Sequence, residues 1–296
     1  MRVFVTGATG FVGSAVVGEL IREGHQVLGL ARSDAAAKSL DAVGAEVHRG
    51  DLEDLDSLRS GASASDGVIH TGFIHDFSNL KVVCGIDERA IEALGAGLAG
   101  SDRPLIVTSG TALVSPGRLV TEDMPAPEPT TFPRASEEAA ARVAASGVPV
   151  SIVRLSPSVH GDGDHGFVPI LVGIAREKGV SAYIGDGLNR WTAVHRLDAA
   201  HLYRLVLENG SAGARYHGVA EEGIAFREIA EAIGKQLDIP VVAKTPDEAA
   251  EHFGWFSMFA GLDCPASSKL TKERLGWSPV QVSLLDDLAQ GTYFHS

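Results

Sequence analysis

Cysteine is nearly absent: Cys84 and Cys264 are the only two in 296 residues, too few for a disulfide framework or a four-cysteine zinc site. Basic residues are also short. With 25 Lys+Arg against 38 Asp+Glu the formal charge is −13, which argues against a nucleic-acid partner, since such a binder carries a basic stripe. No apolar run approaches the ~18–20 residues that span a bilayer, so no membrane partner is expected. The opening Met1–Gly7 reaches glycine too early for a secretory signal peptide, and a cytoplasmic location is expected. No His-x-x-x-His or His-Glu pattern is present, so no metal is expected. Hydrophobic residues, at 45%, are enough for a sizeable core and exclude global disorder.

Glycine is abundant, and it is placed at the ends of periodic segments. Arg2–Thr6 is a short β-branched and apolar run ending in Gly7. Val12, Val16, Leu20 and Ile21 then recur at helical spacing, with Gly24 as a stop. Gln26–Ala31 and Ala45–Arg49 read as buried strands around a helix over Ala35–Val43. Val68–His70 and Leu105–Thr108 are further strands, separated by a helix around Asp87–Leu98. The helix Ser136–Ala145 and the strand Pro149–Leu155 follow. Strands alternating with helices at this spacing predict an α/β fold with a parallel sheet covered on both faces. After Leu155 the rhythm changes. Ser156–Gly166 is a Pro-, Gly-, Asp- and His-rich loop, and shorter elements follow, including a strand near Arg215–Ala220. A dinucleotide-binding domain over 1–155 and a smaller α/β substrate lobe over 156–296 are expected, with some later elements returning to the first.

The strongest motif is Thr6-Gly7-Ala8-Thr9-Gly10-Phe11-Val12-Gly13, directly after the first strand and opening the first helix. Gly7 allows the tight turn, Gly10 lets backbone approach a pyrophosphate, and Gly13 lets the helix pack closely. The helix start adds free N–H groups and a positive dipole end. Gly7, Thr9, Gly10, Phe11, Val12 and Gly13 are therefore assigned to a cofactor. This spacing resembles the extended and atypical short-chain dehydrogenase/reductase superfamily, the NAD(P)-dependent epimerase/dehydratase-like branch. Other landmarks agree along nearly the whole chain. Gly50-Asp51-Leu52 resembles the family's adenine-contacting motif, and Val68-Ile69-His70 its fourth strand. Val107-Thr108-Ser109-Gly110-Thr111 resembles its Ser/Thr-rich fifth strand, and Val153-Arg154-Leu155 with Val159-His160-Gly161 its sixth strand and nicotinamide loop. Val194-His195 with Asp198, and Leu275-Gly276-Trp277, match late landmarks. The resemblance implies a doubly wound Rossmann-type sheet. It also implies cofactor contacts from Asp51, Leu52, Thr71, Gly72, Phe73, Pro157 and Ser158.

In this fold an acidic residue after the second strand holds the ribose hydroxyls of NAD. Here the strand ends in Ala31-Arg32-Ser33, and Asp34 comes later, where it would cap the next helix. Arg32 presents a permanently charged fork suited to a 2′-phosphate, with Ser33 as a second donor and Lys38 a third. NADP(H) is therefore expected ahead of NAD(H); the alternative for Arg32 is a solvated surface arginine.

The family's Tyr-x-x-x-Lys pair is missing. At the matching spacing stand Phe132 and Ser136, and none of Tyr183, Tyr203, Tyr216 or Tyr293 has lysine four positions on. Ser109 and Thr111 remain as hydroxyls to orient a substrate oxygen, and His160, with His165 beside it, as loop histidines able to move a proton near neutral pH. The alternative for each histidine is a loop hydrogen bond. His195 reads better as a helix cap, and His70 as a satisfied core residue.

Aromatics make up only 6% of the chain, yet Phe253-Gly254-Trp255-Phe256-Ser257-Met258-Phe259 concentrates four of them. Either they pack the small lobe's core or they wall a pocket over the nicotinamide, facing Phe73 and Phe77. Arg190 resembles a family arginine that holds a nucleotide-sugar phosphate, but further basic residues are few. A small, partly apolar carbonyl or imine is the expected substrate of an NADP(H)-dependent oxidoreductase. A sugar epimerase/dehydratase and a catalytically silent NADP(H) sensor are the alternatives. A homodimer is expected through the Ala-rich helices near Asp87–Leu98 and Ser136–Ala145.

Overall fold

A computed structural model describes residues 1–126, 133–290 and 292–294. The first half alternates strictly: β1 (Arg2–Thr6), α1 (Phe11–Arg22), β2 (Gln26–Ala31), α2 (Asp34–Ala42), β3 (Glu46–Arg49), α3 (Leu55–Ser63), β4 (Gly67–His70), α4 (Leu80–Leu98), β5 (Leu105–Gly110), α5 (Ser136–Ala145) and β6 (Val150–Leu155). Shorter elements follow: β7 (Ser158–His160), α6 (Phe167–Lys178), β8 (Ser181–Ile184), β9 (Arg190–His195), α7 (Arg196–Asn209), β10 (Arg215–Gly218) and β11 (Glu221–Ala225). The chain ends through α8 (Phe226–Leu237), β12 (Val241–Lys244), α9 (Pro246–Phe253), α10 (Ser257–Ala260), α11 (Lys269–Leu275) and α12 (Leu284–Gln290).

Seven strands form one sheet in the order β10-β6-β5-β4-β1-β2-β3, with every pairing parallel. Alternation along each strand sends side chains to opposite faces. Val3 and Val5 thus pack with Val16 and Leu20 of α1 and Tyr203 of α7. Phe4 faces the other way, into Leu58 of α3 and Ile91 and Leu94 of α4. The doubly wound Rossmann-type sheet follows from this two-sided burial. The order reverses at β1, which lies between β2 and β4. Ligands of such sheets sit beyond the carboxyl ends of the strands at this reversal.

The strand near Arg215–Ala220 does not belong to the smaller lobe's own sheets. As β10 it pairs parallel with β6, from Arg215 beside Ile152 to Gly218 beside Leu155, and so satisfies the edge of the large sheet. The α7 helix is the crossover that returns the chain there, packed on α1. The remaining later strands form a three-stranded sheet, β11-β9-β7, and a two-stranded one, β12-β8. A third core, around Trp191, Phe226, Phe253 and Phe256, lies beneath them.

The helix expected from Asp87 starts earlier, at Leu80. Some of the small residues of α4 and α5 pack within the chain, Ala90, Ala93, Ala139 and Ala140 being buried against the sheet, while Ala96 and Ala141 are exposed. A Cβ on Gly95 would stand 2.4 Å from Val143 Cγ1, so the two helices cross closely there. Their outer surface instead carries Arg142, which bridges Glu88 and Glu92.

Candidate cofactor and substrate site

The glycine turn is built by contact. Gly7 has φ +65°, and a Cβ on it would stand 2.7 Å from the Gly72 nitrogen. A Cβ on Gly13 would stand 2.0 Å from the Gly7 carbonyl oxygen and 2.9 Å from Thr71 Oγ1. Gly10 is the N-cap of α1, whose first turn holds no acidic residue. The first N–H groups of the helix have no carbonyl one turn earlier, and a Cβ-free cradle lies over them. This arrangement suits the pyrophosphate of a dinucleotide. Thr9 is exposed, and Phe11 and Val12 are half-buried at the same corner.

Thr6 and the turn after β4 are tied together. Thr71 Oγ1 donates to the Thr6 carbonyl at 2.7 Å, and the Gly72 N–H donates to Thr6 Oγ1 at 3.2 Å. Leu52 reaches the same turn, since a Cβ on Gly72 would stand 3.0 Å from its Cδ2. Asp51 is exposed beside it, with Oδ1 accepting from the Glu53 and Asp54 N–H groups. Arg32 and Lys38 are exposed just past β2, and Arg32 has no hydrogen-bond or ion-pair partner among the described residues. Ser33, and not Asp34, caps α2, accepting from the Ala36 N–H at 3.2 Å. Asp34 turns away to pair with Arg49.

A chain of buried hydrogen bonds runs inward from Thr6. Thr6 Oγ1 lies 2.7 Å from His70 Nδ1, and His70 Nε2 lies 3.1 Å from Asp87 Oδ1. Ser136 Oγ donates to Asp87 Oδ2 at 2.5 Å, and Arg134 Nε donates to Ser136 Oγ at 2.9 Å. The donors run consistently if Thr6 donates to His70 and the imidazole carries its proton on Nε2. Burial alone would raise the Asp87 carboxyl, but the bond from His70, with the charge of Arg134 and the Ser136 bond, outweighs it and holds the group below its ordinary range. His70 is thus a satisfied core residue, and Ser136 joins the glycine turn to α5. Phe132 lies outside the described residues.

Two of the candidate catalytic residues do not face solvent. Thr111 is fully buried, with its hydroxyl 3.3 Å from both the Leu155 carbonyl and Thr192 Oγ1. His160 is also fully buried; its Nδ1 lies 2.8 Å from Asp287 Oδ2, while Nε2 has no partner. Packing against β9 and α12 turns both side chains inward. Ser109, 7% exposed, hydrogen-bonds the Glu137 carboxylate. Glu137 is in turn gripped by Arg154 at 2.7 and 2.8 Å. Pro157 is half-buried, and Ser158 is buried with its Oγ unpartnered. His195 caps α7, its Nδ1 accepting from the Leu197 N–H at 3.2 Å. Burial pushes the Tyr203 and Tyr293 hydroxyls upward, so neither is an acid near neutral pH.

Two residues that the sequence left without a role stand at the mouth instead. Arg134 lies 4.3 Å over the Phe73 ring, and the His75 ring lies edge-on to Phe73 at 5.3 Å. The protein packed around His75, and then the charges of Arg134 and His165, lower its imidazole below the usual value. The His165 ring lies edge-on to Phe11 at 5.8 Å, and the Arg196 guanidinium lies over the same Phe11 ring at 5.0 Å. Arg134 falls between the Tyr- and Lys-equivalent positions, a place that could have marked it; nothing local marked His75. Phe77 closes the rim, stacked on Trp255 at 5.2 Å and touching Phe259 at 5.6 Å. Part of the aromatic cluster packs the core, as Phe253 and Phe256 do, and part forms this wall. Arg190 is paired with Asp263 through Nε and Nη2, both at 3.0 Å.

Among the described residues no helix is long and apolar enough to cross a membrane, and no group of three His, Cys, Asp or Glu side chains could hold a metal ion.

Comparisons with known proteins agree with this geometry. A family model described as NAD(P)H-binding matches residues 7–172. The chain is 52% identical over 295 residues to an uncharacterized protein of Schizosaccharomyces pombe, covering 99% of this chain and 100% of that one. It is 30% identical over 262 residues to the 2-alkyl-3-oxoalkanoate reductase of Stenotrophomonas maltophilia, covering 82% and 78% of the two chains. Among solved structures, the dTDP-glucose 4,6-dehydratase of Streptomyces venezuelae with NAD bound superposes with a TM-score of 0.76 over 98% of this chain and 95% of that chain, at 23% identity, a likeness of fold.

Proposed function

The chain belongs to the NAD(P)H-binding family, and from that premise we propose that it is an NADP(H)-dependent reductase of the epimerase/dehydratase-like short-chain dehydrogenase/reductase kind, acting on a small, largely apolar carbonyl or imine compound. The observation that carries this reading is the aromatic wall of Phe77, Trp255 and Phe259, linked through His75 to Phe73 at the turn that packs on Gly7. Such a wall suits an apolar substrate, and the Arg190–Asp263 pair leaves that arginine unsuited to a sugar-nucleotide phosphate. The relative from Stenotrophomonas, named a 2-alkyl-3-oxoalkanoate reductase, supports a ketone as the reducible group.

The glycine turn and the start of α1 would hold the pyrophosphate, Asp51 and Leu52 the adenine side, and Arg32 with Ser33 and Lys38 the 2′-phosphate. Thr71, Gly72, Phe73, Pro157 and Ser158 would line the nicotinamide side. When bound, the reduced nicotinamide supplies hydride. The protein positions the substrate and excludes water with its aromatic wall. His75, neutral at neutral pH because its imidazole is lowered, passes a proton from water to the substrate oxygen. Ser109 and Thr111 support the strand end behind the site.

NADPH and NADH oxidation measured over ketones, aldehydes and cyclic imines tests the reading; no turnover with any of them would refute it. Arg32→Ala should narrow the preference for NADPH over NADH by about 10–100-fold, the value of a charge-assisted bidentate contact. Equal affinities in the unaltered protein would remove Arg32 from this role. A homodimer through the outer surfaces of α4 and α5 belongs to the same proposal. Sedimentation at micromolar concentration should show twice the chain mass, and a monomer would overturn it.

A further inference from the structure

Three arginines beside the large sheet are neutralised by carboxylates. Arg154 and Arg215 meet Glu137, and Arg204 meets Glu19 and Glu208. Like Arg103, which donates only to carbonyls and the Ser101 hydroxyl, Arg134 meets no carboxylate among the described residues. Its Nε donates to Ser136 Oγ and its Nη2 to the Thr108 carbonyl at 3.3 Å, both neutral acceptors. The nearby Asp87 carboxylate is occupied by His70 and Ser136. No carboxylate lies within ion-pair distance of Arg134 among the described residues. A guanidinium cannot shed its proton, and sheltering one without a counter-charge is unfavourable.

The two bonds take up the Nε/Nη2 edge of the planar fork. The Nη1/Nη2 edge has no partner among the described residues, and that edge matches the two oxygens of a carboxylate. Phe73, 4.3 Å below the guanidinium, holds its plane. From Phe73 the rings run through His75 to Phe77 and Trp255, so a cationic fork with one edge unpartnered among the described residues stands at one end of an apolar wall.

We infer that Arg134 anchors a substrate carboxylate, which makes the substrate class an apolar oxo acid whose hydrocarbon part lies along Phe77 and Trp255. This rests on the reductase reading above. The carboxylate is held unchanged; the carbonyl carbon gains hydride from the reduced cofactor and its oxygen gains a proton from water, giving the hydroxy acid and the oxidised cofactor.

The test is binding, read by tryptophan fluorescence with NADP+ present, of 3-phenylpropanoate against 3-phenylpropanamide. The acid should bind about 10–100-fold tighter. Arg134→Gln should erase that preference and Arg134→Lys keep part of it, with NADP+ affinity unchanged and the fold retained by circular dichroism in both. Equal binding of acid and amide to the unaltered protein overturns the inference, and so does a preference that survives in Arg134→Gln. In turnover, 4-phenyl-2-oxobutanoate should exceed its methyl ester in kcat/KM by a similar factor. If neither is reduced while the carboxylate preference persists, the anchor stands and the reductase reading falls.

Discussion

Gly13→Val should abolish cofactor binding, raising the NADPH dissociation constant at least ~100-fold. The first carbon of any side chain there would stand 2.0 Å from the Gly7 carbonyl oxygen and 2.7 Å from its carbon. Both obstacles are backbone, so no rotamer relieves them. The turn must open, and the N–H groups it aims at the pyrophosphate move with it. Overpacking costs about 1–3 kcal/mol even where side chains can yield, so a loss near the upper end of that range should appear in the melting transition. Gly18 lies on the same helix with nothing within 4 Å of its would-be Cβ. Gly18→Ala should therefore raise stability by about 0.5–1 kcal/mol through helix propensity and leave NADPH affinity intact. Titration of cofactor fluorescence and a thermal melt on the two variants would check both. Near-normal affinity in Gly13→Val would mean that the turn is not the cofactor's cradle.

The largest loss of stability is expected from Glu137→Ala. Arg154 is fully buried, and its guanidinium is held by Glu137 Oε1 and Oε2. Removing the carboxylate strands a charge that cannot be neutralised by deprotonation, at a cost of about 3–5 kcal/mol. The same cluster sets an acid limit. Burial opposes ionisation of Glu137, but the bonds and charge of Arg154 prevail and hold its carboxyl below the ordinary range. Burial pushes His217 down to about 4; its Nδ1 lies 2.7 Å from the Ser267 carbonyl. Both groups bind protons more readily in the unfolded chain, so stability must fall with pH. The histidine's contribution is full above pH 6.5 and is lost as pH falls towards about 4. The carboxylate's contribution is lost lower still, below the ordinary value of 4.5. Urea midpoints between pH 7 and pH 4 should decline steadily. A flat profile, or an unchanged midpoint in Glu137→Ala, would contradict this account of the cluster.

What the chain sequence determined by itself is local. The glycine turn needs only the strand before it and the helix after it, and each of these is written within a dozen residues. The alternation of strands and helices needs only hydrophobic period, and from it the parallel, doubly wound sheet follows. His195 as a cap was equally legible, because a cap bonds to a residue two positions away. Availability of a side chain is a different kind of property. Ser109 reaches Glu137 and His160 reaches Asp287, so hydroxyl and imidazole groups that belong to a reactive pattern are already engaged. Arg190, a candidate for binding phosphate, meets Asp263. Arg134, unremarked in the sequence, keeps one edge without a partner among the described residues, Asp87 being taken by His70 and Ser136. Each of these outcomes depends on a partner brought from far along the chain by packing. A polar group's partner changes its charge, orientation and reach. Tertiary structure alone decided which of the polar residues remain free to meet a ligand.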